Sequence, residues 1–109
     1  MSTPETSVIT RYFEADARRD IDAIVALFSD DAVVVDEGQT YHGREAIRGW
    51  REGAASVYQY TTQVDDTKHF DAESYLVTGR LTGNFPGGTA ALQWRFTVQN
   101  DQISRLEID

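Results

Sequence analysis

Apolar residues recur at helical spacing in the first half of the chain and alternate with polar ones in the second. Val8, Ile9, Tyr12 and Phe13 fall three and four apart, which predicts a helix from about Pro4 to Arg19 whose inward stripe continues, out of character, to Asp16. Thr3-Pro4-Glu5 reads as its start: Thr caps free amides, Pro has no amide to lose, and Glu faces the positive end of the helix dipole. Asp20 is positioned to cap a short second helix carrying Ile21, Ile24, Val25, Leu27 and Phe28 and ending at "SDD". A strand over Ala32 to Asp36 follows, and Gly43 opens a third helix, "REAIRGWREGAA". That helix is expected to bury Ala46, Ile47, Trp50 and Ala54 and to turn Arg44, Arg48, Arg51 and Glu52 to water.

From Tyr58 the period changes to two. Four strands are expected near Tyr58 to Phe70, Ser74 to Phe85, Thr89 to Gln99 and Gln102 to Asp109, joined by the turns "FDAES", "FPGG" and "QND", which are short enough for antiparallel neighbours. In the third of these, Ala90, Leu92, Trp94, Phe96 and Val98 share one face and Ala91, Gln93, Arg95 and Thr97 the other. Helices first and strands afterwards is the α+β pattern, with helices gathered on one side of a mainly antiparallel sheet. The length of 109 residues fits one domain over residues 1–109. A core of that size holding a cavity loses packing contacts, so a homodimer that covers part of the sheet is expected.

Charge and composition narrow the partners. The net charge is −8 with no basic stripe, which repels nucleic acid and anionic membranes. There is no cysteine, and so no disulfide, thiolate nucleophile or Cys-bound zinc. The N-terminus shows no basic-then-apolar leader and no stretch approaches a membrane span, so a cytoplasmic location is the default expectation. No metal-ligand spacing, phosphate loop, hydrolase nucleophile motif or dinucleotide fingerprint is present, and no cofactor is expected. His42 and His69 read as loop or strand-end residues.

Three residues stand out for chemistry. Tyr12 and Asp16 share a helix face, and Asp36 shares the inward side of its strand with Ala32 and Val34, while Glu37 is expected to point the other way. A carboxylate in an apolar cavity can exchange protons near neutral pH, and a phenol can donate to an oxygen that gains charge. If Asp16 and Asp36 lie close, their repulsion would leave one as acid and the other as base. Each also has a plain structural reading: Asp36 accepting amides at a turn, Tyr12 a core aromatic, Asp16 wet at a frayed helix end. Trp94, Trp50, Phe28 and Tyr60, with Leu106 and Ile108 of the last strand, are expected to line a cavity for a small, flat, apolar molecule.

The run "ITRYFEADARRDIDAIVALFSDDAVVVDEGQTYHGREAIRGW" and the paired strands after it resemble the SnoaL-like and ketosteroid isomerase-like branch of the nuclear transport factor 2-like (NTF2-like) superfamily. The resemblance implies a cone of three helices in the concave face of a curved sheet, with a pocket at the wide end and dimerisation through the sheet. In ketosteroid isomerases a Tyr of the first helix and an Asp ending the first strand act on a steroid enolate. Tyr12 and Asp36 match those positions. Where the isomerases carry a second, protonated acid on a late strand, this chain has Trp94, or Gln93 if the register slips by one, and Asp16 adds a carboxylate where they usually have an apolar residue. The implied activity is a cofactor-independent isomerase, cyclase or dehydratase moving protons beside a carbonyl, with Asp36 as base, Tyr12 as donor and Asp16 as a second acid or base. The alternative is a non-catalytic binding or dimerisation module on the same cone.

Overall fold

The computed structural model describes residues 4–57 and 60–109, with side chains described over 8–53 and 60–109. The Thr3 cap, the buried face of Ala54 and the strand start at Tyr58 lie outside these ranges. The elements are α1 (Pro4–Ala17), α2 (Ile21–Ala26), β1 (Phe28–Asp36), β2 (Gln39–His42), α3 (Arg44–Val57), β3 (Tyr60–His69), β4 (Ser74–Gly83), β5 (Thr89–Gln99) and β6 (Gln102–Ile108). The six strands form one sheet in the order β2-β1-β6-β5-β4-β3, antiparallel except for the β1–β6 pair. This is the expected α+β cone: three helices on one face of a curved, unclosed sheet.

Helix α1 ends two residues earlier than its apolar stripe predicts, because the chain closes it with a left-handed residue. Arg19 has φ 58°, its amide bonds the Asp16 carbonyl at 3.1 Å, and the Asp20 amide bonds that of Ala15 at 3.0 Å. Asp20 then caps α2 through a side-chain bond from the Ala23 amide at 3.1 Å, as its position predicts. Leu27 and Phe28 do not continue that helix. Phe28 begins β1 four residues ahead of the expected start, paired with Ile103, whose amide bonds the Leu27 carbonyl at 2.8 Å. A short apolar run fits helix and strand alike, and here the late strand decides.

Strand β2 has no counterpart in the apolar pattern of the chain, since its four residues are mostly polar. It folds back on β1 through Glu37 and Gly38, both at positive φ (52° and 77°), as in the two-residue hairpin turns that suit a twisted ribbon. His42 lies on this exposed strand, and His69 ends β3, stacked on Tyr75 at 4.5 Å.

On the inner sheet face, partners align in rows. Val34, Leu106, Phe96 and Tyr75 form one, and Asp36, Ile108, Trp94 and Val77 form the next. The register places Trp94 on the inner face, 3% exposed, and Gln93 on the outer one. Helix α1 packs on β3, β5 and β6, and α3 on β1 and β2. Tyr12 sits at the centre, with its ring edge-to-face against Phe13, Phe28 and Phe96 at 5.2, 6.2 and 5.5 Å.

Strand β3 bulges between Val64, which pairs with Gly79, and Asp66. A Cβ on Gly79 would stand 2.2 Å from the Gln63 carbonyl oxygen and 3.2 Å from Cζ3 of Trp94, so only glycine fits there. Gly79→Ala is expected to cost about 1–3 kcal/mol in urea denaturation. Gly49→Ala, on an exposed turn of α3 where the added Cβ meets nothing within 4 Å, should gain about 0.5–1 kcal/mol.

Candidate functional site

Between the helices and the inner sheet face lies a cavity of about 510 Å³. Its apolar walls come from Leu81, Phe85, Pro86, Ala90, Leu92, Trp94 and Ile108; its polar lining includes Tyr12, Asp16, Asp36, Arg51, Tyr60 and Thr62. Glu37 and Gly38 of the hairpin turn also line it. Glu37 therefore does not face away as strand alternation predicts, because the turn, and not β1, sets its direction.

Five of the residues picked out by the sequence meet at this cavity besides Asp16: Tyr12, Asp36, Tyr60, Trp94 and Ile108. Three others do not line it. Phe28 and Leu106 are wholly buried at 0% exposure, so they form the packed core behind the wall and not a contact surface. Trp50, buried on α3, donates from its indole Nε1 to Oδ2 of Asp36 at 2.9 Å. It holds the carboxylate and does not itself line the space. The plain reading of Asp36, a turn residue accepting amides, is not what the geometry gives: its partner among the described residues is the indole of Trp50 on α3.

The residue missed by the sequence reading is Arg51. Expected in water, it is 5% exposed and lines the cavity. A signal was present: Arg51 stands four residues after Ile47, which is fully buried, and so on the inward stripe of α3. Its Nη2 lies 3.1 Å from Oδ1 of Asp16 and donates to the Tyr60 hydroxyl, while the guanidinium carbon sits 4.5 Å above the Trp50 ring. Tyr60 in turn donates to Asp16, 3.1 and 3.3 Å from its two oxygens. Asp16 is thus neither wet nor a free carboxyl beside Asp36; Arg51 and Tyr60 engage it. Burial works against the charge on Arg51, but Tyr12, Asp16 and Tyr60 around it outweigh that and hold its pKa above the ordinary value.

Burial pushes the Tyr12 hydroxyl above its ordinary 10.0; Arg51 pulls it down, and Asp16, Tyr60 and Asp36 push it further up. Tyr60 is raised as well, by burial first, with Arg51 opposing and Asp16 adding. Both are neutral phenols at physiological pH, able to donate and unable to serve as phenolate bases. Among the described residues no group of three or more His, Cys, Asp or Glu is arranged to hold a metal, and no helix is long and apolar enough to cross a membrane.

Three helices against a curved, unclosed, mainly antiparallel sheet are the NTF2-like fold. Within it the chain belongs to the SnoaL-like domain family, whose pattern matches residues 9–106. No curated protein sequence matches it. Among solved structures it is similar to a candidate polyketide cyclase of Sinorhizobium meliloti, at 35% identity over 94% of each chain with a TM-score of 0.89. A protein of ketosteroid isomerase-like fold from Catenulispora acidiphila, in complex with trimethylamine, shares 17% identity over 94% of this chain and 83% of its own, with a TM-score of 0.84. The epoxide hydrolase/cyclase-like enzyme SalBIII, from pyran ring formation in salinomycin, shares 19% over 95% and 88%, also at 0.84. At those lower identities the likeness is one of fold.

Two outcomes follow from the buried cluster. Asp16→Ala leaves the Arg51 charge uncompensated and should cost about 3–5 kcal/mol, whereas Asp16→Leu with Arg51→Met should recover most of that in urea denaturation. Tyr12 and Tyr60 hold their protons in the fold after the unfolded chain has released its own. Their contribution is therefore complete below about pH 10 and declines as pH rises through the raised folded values. In an alkaline absorbance titration both should ionise only as the fold is lost, and Tyr12→Phe and Tyr60→Phe should each remove one phenol from that late step.

Proposed function

We propose that the cavity is the active site of a cofactor-independent enzyme that moves a proton beside a carbonyl of a small apolar substrate, in an isomerisation, cyclisation or dehydration. The observation that supports this best is the pairing of Asp36, oriented by Trp50 at 2.9 Å, with the neutral phenol of Tyr12 on one cavity of about 510 Å³. That volume suits a small organic ligand. Asp36 takes a proton from the carbon next to the carbonyl. The C–H electrons pass into the enolate, whose oxygen receives a hydrogen bond from Tyr12. The conjugated enolate is then either reprotonated by the Asp36 carboxyl at a different carbon, or its nucleophilic carbon attacks a second carbonyl, whose oxygen takes the Asp36 proton as the ring closes. In both cases the proton on Asp36 is returned, so the carboxylate is regenerated. The indole N–H of Trp50 fixes one carboxylate oxygen and leaves the other for the substrate.

The 35% identity to a candidate polyketide cyclase favours ring closure among these reactions. A second reading, a non-catalytic binding module, draws on Trp94, which occupies the inner-face position where a second acid would stand and cannot itself act as one. In either reading the ligand is a small apolar molecule, and a second copy packed on the outer sheet face belongs to the same proposal; native mass spectrometry counts the subunits and reports any copurified ligand.

The test is turnover of enones and of linear aromatic polyketide mimics. Asp36→Asn should lower kcat by about 10²–10⁴-fold and Tyr12→Phe by a smaller factor, with unfolding midpoints near that of the parent. Ligand binding with no turnover in either protein, and equal affinity for Asp36→Asn and the parent, would establish the binding module instead.

A further inference from the structure

We propose that Arg51 is a second hydrogen-bond donor to the substrate oxygen, and that the cavity takes compounds whose reacting oxygen is acidic: the enol of a 1,3-dicarbonyl, a hydroxyquinone or a phenol. This rests on the proton-transfer reading above and names its substrate class.

Arg51 has donors to spare. A guanidinium carries five N–H groups. Among the described residues Nη2 of Arg51 engages both the Tyr60 hydroxyl and Oδ1 of Asp16; Nε is occluded without a partner, and Nη1, which none of them engages, is the donor left for the cavity that Arg51 lines. Leaving donors of a buried cation unmet is costly, and such sites are filled by a ligand or water. Tyr60 cannot meet the same need, because its single proton is directed at Asp16. Tyr12, by contrast, has a hydroxyl with no hydrogen bond among the described residues and lines the same cavity within the electrostatic reach of Arg51. The two converge from α1 and α3 on the space that Asp36 faces from β1.

Charge balance supports the same assignment. Asp16 offsets Arg51, so the pair is neutral in the resting site. When Asp36 accepts the substrate proton, its negative charge disappears and an equal one forms on the substrate oxygen, so charge moves across the cavity toward the guanidinium while the total is unchanged. A fixed cation with spare donors stabilises that endpoint more than a neutral phenol alone does.

A test independent of turnover uses 4-nitrophenol, whose ionised form is distinguished by its visible absorption. In Asp36→Asn, which removes the opposing charge, the probe should bind in its ionised form about tenfold or more tighter than in the parent. Adding Asp16→Asn, which leaves Tyr60 an acceptor, should tighten it further. Arg51→Met in the Asp16→Asn, Asp36→Asn background, a neutral replacement that strands no buried charge, should weaken the probe about 10–100-fold and return it to the neutral form. Arg51→Lys should keep it ionised at intermediate affinity. Unchanged ionised binding after Arg51→Met, or no binding of the probe by the parent and Asp36→Asn alike, would overturn the inference. Retained turnover in Asp36→Asn would instead remove the base assignment while leaving the probe result intact.

Discussion

A guanidinium inside a cone of apolar side chains is the constraint around which this structure is arranged. Removing such a charge from water costs several kcal/mol, and the cost is met only if its surroundings supply an opposite charge and hydrogen bonds in fixed places. Arg51 obtains both from elements far apart in sequence: Asp16 at the end of α1 and Tyr60 at the start of β3. Arg19 extends the arrangement, with its guanidinium 4.3 Å above the Tyr60 ring and Nη2 3.3 Å from the Tyr60 carbonyl oxygen. The ionic cluster thereby ties the helical layer to a strand whose other residues are mostly exposed.

The neighbouring residue divides the labour. Trp50 and Arg51 are adjacent on α3, about 100° apart around its axis, so one reaches Asp36 on β1 while the other reaches across to α1 and β3. Both gripping side chains come from a single helix turn packed on β1 and β2. The distance between the two carboxylates is consequently set by the helix and not by a loop, which is the kind of support that keeps reacting groups in register.

Much of this was legible from the chain. The alternation in β5 gives its two faces, while the choice of Trp94 over Gln93 came only with the register against β4 and β6. Asp20 announces the start of α2, and the match of Tyr12 and Asp36 to a known arrangement brought both to the cavity. What escaped has physical causes. Arg51 was read by residue type, since arginine is usually wet, although its spacing from Ile47 placed it inside. Strand β2 lacks apolar alternation because one hairpin partner is enough to hold it. Phe28 was drawn from helix to strand by Ile103, a residue no local window contains. Trp50 and Leu106 are large and inward-facing, but inward-facing residues fill a core before they line a cavity, and periodicity does not separate the two.

The position of β6 bears on how the molecule is made. It lies between β1 and β5, and β1 has no other neighbour except the short β2. Val34 finds its partner Leu106, and Asp36 its partner Ile108, only when nearly all of the intervening chain has been synthesised. On a ribosome the N-terminal helices and the β1–β2 hairpin must therefore wait with an unpaired strand edge and an open apolar face. Such distant pairing slows folding and lengthens exposure to self-association. Until β6 emerges that edge stays open, and the same late strand that completes the cavity wall also closes it.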